Sequence, residues 1–204
     1  MNKIKNLLQY TTTSGKAYNG GGYEGGYHTL TIHNQEIKGQ RNPKERLQDI
    51  PFDFTNKTVL DIGCNQGGML FALQDKIKDG IGIDFDYRLI NVANRIRSSH
   101  NYNNLNFYVF NLEKEDFDLI SNFSDNKIDI VFLLSVCMWI DNWKELCMWC
   151  SKNARCCLFE TNGKKNQQEE QVDFLKTLYK KVILIRDKSN DDASQTKRRL
   201  YFCG

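Results

Sequence analysis

The chain has 204 residues, of which 40% are hydrophobic, and its formal net charge is +3 at pH 7. This length suffices for one substantial core but is short for two independent domains, so we expect one domain at residues 51–204 behind an N-terminal extension at 1–50. The small charge does not demand a nucleic-acid partner. No apolar run is long enough for a membrane span, and residues 1–13 lack the apolar segment of a secretory signal, so we expect a cytoplasmic protein.

The N-terminal extension contains a glycine-rich tract at residues 20–27. Glycine loses the most backbone entropy on folding, so the tract is predicted to lack regular structure and to be mobile. Lids that close over a ligand need such hinges, and Tyr23 and Tyr27 are therefore candidate substrate-binding residues of a lid. A disordered lead-in without a function is the alternative.

From about Thr58 onward, apolar runs alternate with amphipathic stretches, which is typical of repeated β-α units and a mostly parallel sheet. The strands are predicted at 58–62, 80–84, 106–110, 128–134, 155–160, 182–186 and 199–203. The helices are predicted at 67–77, 86–98, 142–150 and 167–180. Because a polar loop and no helix joins the last two strands, they should form an antiparallel hairpin at one edge of the sheet.

The seven cysteines are an odd number, and most of them lie in apolar stretches. Such thiols behave as small hydrophobic side chains in a reducing compartment. The pairs Cys147 with Cys150 and Cys156 with Cys157 raise the alternative of a zinc site. A structural zinc site takes two separated pairs presented by turns, whereas these pairs fall on a helix and along a strand. Core packing is therefore favoured, and no metal is expected.

The stretch at residues 58–73 combines a buried strand, a glycine-rich turn and an apolar-faced helix. Such a turn lets the backbone approach a ligand at the carboxyl end of the first strand. Asp84 closes the second strand 21 residues after Gly63, close to the spacing of about 20 expected of a carboxylate that binds ribose hydroxyls. The turn and the spaced acid together predict a cofactor that contains adenosine.

The middle of the turn distinguishes between such cofactors. A dinucleotide fingerprint has a glycine where this chain has Asn65, because only bare backbone admits the pyrophosphate. S-adenosylmethionine (SAM) has no phosphate, and its methionyl arm needs only polar groups near the turn. The sequence thus favours SAM over NAD or FAD. A P-loop is excluded because no Gly-Lys-Ser/Thr run follows.

Residues 60–67 resemble motif I of the class I SAM-dependent methyltransferases, and the resemblance covers about residues 54–163. It implies a three-layer α/β, Rossmann-like fold with a mostly parallel seven-stranded sheet. It also implies an enzyme that converts SAM to S-adenosylhomocysteine (SAH). By position, Asp61 would support the methionyl amino group, Asp84 would hold the ribose and Phe85 would flank the adenine. The candidate cofactor-binding residues are Asp61, Gly63, Cys64, Asn65, Gly67, Asp84, Phe85, Asn111, Leu112, Ser135 and Arg41.

Three of these assignments have an alternative. Asp84 could serve only as the N-cap of the helix predicted at 86–98. Asn111 stands where the family often has an aspartate, and it could be a turn residue that binds no ligand. The guanidinium of Arg41 could pair with the cofactor carboxylate or with an anionic acceptor, or it could be solvated in a loop.

Methyl transfer to a hydroxyl requires that its proton be removed, and His28, His33 and Glu160 are the candidate bases. Asn162 follows the fifth strand, at the carboxyl-end face of the sheet. Trp139, directly after the fourth strand, is a candidate wall of the acceptor site, although tryptophans beside a helix more often pack in a core. The candidate substrate-binding residues are Tyr23, Tyr27, Trp139 and Asn162.

Two further resemblances concern the acceptor. Residues 134–143 and 159–163 are similar to bacterial methyltransferases that modify surface polysaccharides, which implies O-methylation of a sugar or phosphate-type oxygen of a capsule or lipopolysaccharide precursor. Residues 84–90 and 135–140 resemble RNA 5′-phosphate methyltransferases of the Bin3 type, and tRNA wobble-uridine methyltransferases share the cofactor turn. An RNA acceptor is thus the alternative, although the basic run at 197–199 is expected to be solvated. A SAM-binding partner protein without catalysis is a third hypothesis.

Overall fold

A computed structural model describes residues 2–12, 22–32, 35–189 and 197–204. The helices are α1 (Asn2–Thr12), α2 (Pro43–Arg46), α3 (Gly68–Phe71), α4 (Tyr87–Ser99), α5 (Trp143–Asn153) and α6 (Lys165–Leu178). The strands are β1 (Leu30–Ile32), β2 (Gln35–Ile37), β3 (Thr58–Ile62), β4 (Asp79–Asp84), β5 (Leu105–Val109), β6 (Ile128–Leu134), β7 (Ala154–Glu160), β8 (Val182–Arg186) and β9 (Leu200–Cys203). Two 3-10 turns lie at Phe117–Phe123 and Cys137–Trp139.

Seven strands form one sheet in the order β5-β4-β3-β6-β7-β9-β8. Strands β3 to β7 are parallel, and β9 runs antiparallel to both β7 and β8. The central strand β3 is buried along its whole length because its side chains alternate between two cores. Val59 packs with α1, α3 and α4 on one face, and Leu60 packs with α5 and α6 on the other. The predicted three-layer fold and its antiparallel edge hairpin are confirmed.

The helix predicted at 67–77 is wrong in length, since α3 ends at Phe71. After Ala72 the backbone changes to hydrogen bonds between residues three apart, such as Leu73 N to Leu70 O (3.0 Å). The side-chain amide of Asn104 donates to the carbonyl oxygens of Gln74 (2.8 Å) and Ile77 (3.0 Å). Because Asn104 binds two carbonyls that a longer helix would use, the chain turns early into β4.

The N-terminal extension is part of the core. Helix α1 packs against α4, and Leu8 is fully buried between them and the sheet. In the glycine-rich tract, the amide of Gly25 donates to the carbonyl of Lys38 (2.9 Å), and a Cβ on Gly25 would lie 2.7 Å from Ile37 O. Residues 22–27 contain neither helix nor strand, as predicted, but their glycines allow close backbone packing against residues 37–39. Residues 20–21 lie outside the described part.

The seven cysteines are free, and six of them are buried. Most pack in the core between the sheet and α5, as predicted. Within the described residues, no group of three or more His, Cys, Asp or Glu side chains could hold a metal ion. No helix in the same ranges has both the length and the apolar character needed to cross a bilayer.

Candidate functional site

The turn between β3 and α3 contains three left-handed residues, Gly63 (φ 73°), Asn65 (φ 53°) and Gly67 (φ 81°). A Cβ on Gly63 would lie 2.8 Å from Val136 Cγ2, so the segment after β6 closely approaches the turn. The amide of Gly63 donates to the carbonyl of Ile83 on β4 (2.9 Å). The turn is thereby held at the carboxyl ends of β4 and β6, where the predicted cofactor cradle should lie.

Asp84 is buried at the end of β4 and joins that strand to the turn. Its Oδ2 accepts the amide of Asn65 (2.9 Å), and its Oδ1 accepts the amide of Asp86 (3.0 Å). Helix α4 is capped by Asp86, which accepts the amide of Arg88 (2.8 Å), so the alternative of Asp84 as the N-cap is wrong. Burial raises the pKa of Asp84 to about 6 against the opposing effect of these hydrogen bonds. A carboxylate has about four acceptor positions, so Asp84 can still accept from a ribose hydroxyl.

Asp61, in β3, supplies the test of whether the site fits SAM. It is 2% exposed, and its Oδ2 has no hydrogen-bond partner among the described residues. Burial raises the pKa of Asp61 to about 7, with Arg46 lowering it and Asp84 raising it further. A buried carboxylate oxygen without a donor needs a cation or a donor to complete it. The methionyl amino group of SAM would meet this need beside the turn.

Exposed apolar side chains lie where the sequence predicts the adenine. Phe85 follows β4, and Val109 ends the neighbouring strand β5. The two residues are 47% and 49% exposed, respectively. Asn111 closes a turn, since its Oδ1 accepts the amide of Glu113 (3.0 Å) and its own amide donates to Glu115. The turn role that was the alternative for Asn111 is therefore present in the structure. The two other predicted cofactor residues here are half-buried Leu112 and buried Cys64.

Glu160, the last residue of β7, is 3% exposed between two buried arginines. Its Oε1 accepts from Arg41 Nη2 (2.7 Å), and its Oε2 accepts from Arg46 Nη2 (2.9 Å). Arg46 is presented by α2, which Asn42 caps by accepting the amide of Lys44 (3.1 Å). The N-terminal extension thus delivers two cations to the carboxyl end of the sheet.

A third arginine, Arg198, joins this group from the segment before β9. Its Nη1 lies 3.1 Å from Ser135 Oγ and 3.8 Å from Glu160 Oε2. Ser135 has a φ of 63° directly after β6, and its hydroxyl also donates to Glu160. The hydroxyl of Tyr27 accepts from Arg41 (3.4 Å) and from Arg198 (3.5 Å). We call Arg41, Arg46, Arg198 and Glu160 the arginine cluster.

Three guanidiniums meet the carboxylate of Glu160 in the arginine cluster, and Asp61 is near enough to Arg46 for each to affect the other. Burial by itself raises the pKa of Glu160, but Arg46, Arg41, the Ser135 hydroxyl and Arg198 together lower it below its usual value. Glu160 is therefore ionised at neutral pH, and its ion pairs make it a weak proton acceptor. Guanidinium groups gathered in this way suit an anionic ligand.

His28 is a second predicted base, and it is 3% exposed against α3. A Cβ on Gly68 would lie 2.3 Å from His28 Cβ, so the glycine is required for this packing. Burial, and then Arg46 and Arg41, lower the pKa of His28 well below 6.5, which keeps the ring neutral at pH 7. Protonation would place a third buried cation beside the two arginines. The remaining candidate base, His33, lies outside the described residues.

The predicted substrate-binding residues occupy different environments. Asn162 is 1% exposed and supports the structure, since its Nδ2 donates to the Ser135 carbonyl and its Oδ1 accepts the Met138 amide (3.1 Å). Trp139 is 49% exposed on the same segment, and Tyr23 is 42% exposed. Of the predicted site residues, the structure brings together Asp61, Gly63, Asn65, Asp84, Ser135, Glu160, Arg41, Tyr27 and His28.

Sequence reasoning missed Gln66, which joins the cofactor turn to the N-terminal extension. Its Nε2 donates to the carbonyl oxygens of Gly25 and His28 (3.2 Å to the latter). A Cβ on Gly26 would lie 3.3 Å from Gln66 Oε1. The glycine-rich tract therefore packs directly on the predicted SAM-binding turn.

Sequence reasoning also missed Arg46 and Arg198. Arg198 belongs to the basic run at 197–199 that was expected to be solvated, and for this residue the expectation is wrong because its side chain is 16% exposed. The helix start at Pro43, shortly after Arg41, is a signal that could have suggested Arg46. No local pattern connects Arg198 with Glu160.

Two solved structures share this fold along nearly the whole chain. A WbdD structure with a kinase inhibitor has a TM-score of 0.69 at 20% identity. The match covers 98% of this chain and 47% of the WbdD chain. The N-terminal domain of EvdMO1 with SAH bound has a TM-score of 0.66 at 12% identity and covers 99% and 94%, respectively. At these identities the likeness shows the fold.

Two curated proteins are similar over part of the chain. "Putative methyltransferase 235L" of Invertebrate iridescent virus 6 is 36% identical over 90 residues, 43% of this chain and 29% of that protein. The U6 snRNA methylphosphate capping enzyme Amus of Drosophila melanogaster is 32% identical over 120 residues, 50% of this chain and 40% of that protein. The matches thus span less than half the length of either relative.

The family described as a methyltransferase domain matches residues 53–189, which is more than half of the chain. The matched range contains the cofactor turn, Asp84 and Glu160. The prediction of SAM as cofactor, with SAH as product, is confirmed by this match together with the fold. The chain belongs to the methyltransferase domain family.

Proposed function

We propose that this methyltransferase transfers the methyl group of SAM to a phosphate-type oxygen of a surface-glycan precursor. The observation that carries the proposal is the arginine cluster, in which three guanidiniums face the buried carboxylate of Glu160 beside the cofactor turn. The planar guanidinium matches the geometry of phosphate and carboxylate oxygens. A phosphate is therefore the acceptor group that best suits this charge.

The arginines of the cluster can be divided between the two anions of the reaction. Arg46 is near enough to Asp61 to lower its pKa, so it faces the methionyl side and suits the SAM carboxylate. Arg41 and Arg198 share the hydroxyl of Tyr27 and suit the acceptor phosphate. In this scheme Glu160 is a positioning residue, because its two oxygens hold separate guanidiniums in place.

An ionised phosphate oxygen needs no general base, whereas a sugar hydroxyl must lose its proton. This favours phosphate, since Glu160 is held in ion pairs and His28 is buried beside two arginines. Transfer breaks the S–CH₃ bond of SAM and forms an O–CH₃ bond, leaving SAH and a methyl phosphate ester. The oxygen loses its negative charge, the sulfonium loses its positive charge, and no proton is released.

An RNA 5′-phosphate is the second candidate acceptor. It is favoured by the 32% identity with the methylphosphate capping enzyme Amus over half of this chain. It offers the same chemical group to the arginine cluster, but the formal net charge of only +3 gives weak attraction to a nucleic-acid backbone. A SAM-binding partner without catalysis is the third candidate.

The test measures SAM affinity by calorimetry and then SAH release with three acceptor classes: hexose 1-phosphates, unphosphorylated hexoses and 5′-phosphorylated RNA. Turnover with the hexose phosphates alone supports the proposal. Turnover with RNA alone supports the second candidate, and SAM binding without any turnover supports the third. Turnover with unphosphorylated hexoses would contradict the phosphate assignment.

A matched pair of variants tests the arginine cluster directly. Arg198→Gln and Lys197→Gln each remove one positive charge from adjacent residues, but only Arg198 lies against Ser135 and Glu160. We expect Arg198→Gln to raise the KM for the phosphate acceptor about tenfold or more, the loss of one charge-assisted hydrogen bond. Lys197→Gln should leave it within about twofold. Equal effects of the two changes would refute a specific role for Arg198.

A further inference from the structure

A cavity of about 200 Å³ lies between the 3-10 turn Cys137–Trp139 and helices α5 and α6. Its walls include Met138, Ile140, Asp141, Trp143, Gln167 and Glu170. A cavity of about 150 Å³ can hold a benzene ring, so this volume has room for one small ring. None of the roles described above uses this cavity.

A chain of hydrogen bonds connects the arginine cluster with the wall of the cavity. Ser135 donates its hydroxyl to Glu160, and its carbonyl accepts from Asn162 Nδ2. Asn162 Oδ1 accepts the amide of Met138 (3.1 Å), and Met138 lines the cavity. Gln171, a further lining residue, fixes Asn162 by accepting its backbone amide (3.1 Å). Met138 is 38% exposed, so a ligand bound by the arginines would reach the cavity across this side chain.

The lining chemistry selects a neutral, hydroxyl-rich ligand. Asp141 and Glu170 are carboxylates that repel a phosphate but accept hydrogen bonds from hydroxyls. The indole of Trp143 supplies an apolar wall, and it is held edge-on by Phe174 with ring centroids 5.4 Å apart. Glu170 pairs with Lys144 (2.6 Å) at a half-exposed position, which places a donor at the rim as well. Carboxylates, an aromatic face and a donor around one small cavity suit a sugar ring.

We propose that this cavity binds a monosaccharide ring of the acceptor, while the arginine cluster binds the phosphate attached to that ring. The phosphate part of this assignment rests on the proposed function, whereas the sugar-ring part does not. It separates the acceptor into a charged part held by arginines and an uncharged part held by carboxylates. It also favours a glycan precursor over RNA, because the carboxylate of Asp141 opposes a polyanion at this position.

The first experiment measures sugar binding alone, on the full chain saturated with SAH. Saturation-transfer NMR and titration with the methyl glycosides of glucose, galactose and mannose should detect binding of at least one of them. The double variant Asp141→Asn/Glu170→Gln should weaken that binding at least fivefold. The control Glu169→Gln/Asp173→Asn removes two negative charges from exposed positions of α6, where they pair with Lys165 and Lys176, and should change it less than twofold. Absence of binding by all three glycosides, or equal weakening by both double variants, would overturn the proposal.

The second experiment separates this proposal from the proposed function. For a hexose phosphate that is methylated, Asp141→Asn/Glu170→Gln should raise KM at least fivefold while SAM affinity stays unchanged. An unchanged KM would overturn the sugar assignment and leave phosphate methylation intact. Conversely, glycoside binding that is lost in the double variant, with no turnover of any phosphate, would support the sugar site and contradict the proposed function.

Discussion

Replacing Asp61 with asparagine should weaken SAM binding and, in the same protein, stabilise the free chain at alkaline pH. Asp61 is 2% exposed, and its Oδ2 has no partner among the described residues. Burial, opposed by Arg46 and reinforced by Asp84, raises the pKa of Asp61 from 3.8 to about 7. The free protein therefore bears a cost for keeping this residue ionised, which the ammonium of SAM would offset.

The size of the cost follows from the shift. About three pH units at about 1.36 kcal/mol each correspond to about 4 kcal/mol. Because the folded-state pKa of Asp61 is raised, its contribution to stability is fully present below about pH 4 and is lost as the pH rises through about 7. Asparagine stays neutral and avoids this loss, but an amide N–H without a partner costs about 1–3 kcal/mol. We expect a net gain of about 1–3 kcal/mol at pH 8.

The same substitution should stabilise the free protein but weaken its binding of SAM. Loss of a hydrogen bond between opposite charges costs about 1.5–3 kcal/mol, which weakens SAM binding about 10- to 150-fold. Urea unfolding of the free protein at pH 5 and pH 8 measures the first effect, and calorimetric titration with SAM measures the second. The exposed Asp75→Asn is the control, and it should change neither quantity. An Asp61→Asn protein that is less stable than the wild type at pH 8, or that binds SAM with unchanged affinity, would refute the reasoning.

Three further changes probe the rest of the site. Asp84→Ala should weaken SAM binding by about 2–4 kcal/mol with a native circular dichroism spectrum, and an unchanged calorimetric affinity would contradict its ribose role. Glu160→Gln should lower the free energy of unfolding by about 3–5 kcal/mol, because it breaks a buried ion-pair network, and urea midpoints equal to wild type would argue against that network. Tyr27→Phe keeps the ring beside His28 but removes the hydroxyl between Arg41 and Arg198. It should therefore lower kcat/KM severalfold and change SAM affinity by less than about twofold. A normal kcat/KM would show that Tyr27 is not part of the acceptor site.

The sequence alone determined the sheet and the glycine turn that follows β3. Each of the seven predicted strands lies within one residue of its position in the structure, because an apolar run between turn residues is a local signal. The glycine turn and Asp84 were found for the same reason, since their spacing depends only on one β-α-β unit. Even here the local signal had limits. It did not show that Asp86 caps α4. It also did not show that Asn104, which lies in the next β-α unit, binds the carbonyl groups that follow α3.

The tertiary structure alone decided the arginine cluster. Arg41 and Arg46 meet Glu160 across 119 and 114 residues of chain, and Arg198 meets them from beyond β8. The glycine-rich tract, expected to be mobile, packs on the turn through Gln66. Charged side chains at such separations come together only after the sheet has formed, and whether an arginine is solvated or buried beside a carboxylate depends on that packing. Periodicity and turn chemistry act over a few residues and carry no information about those contacts.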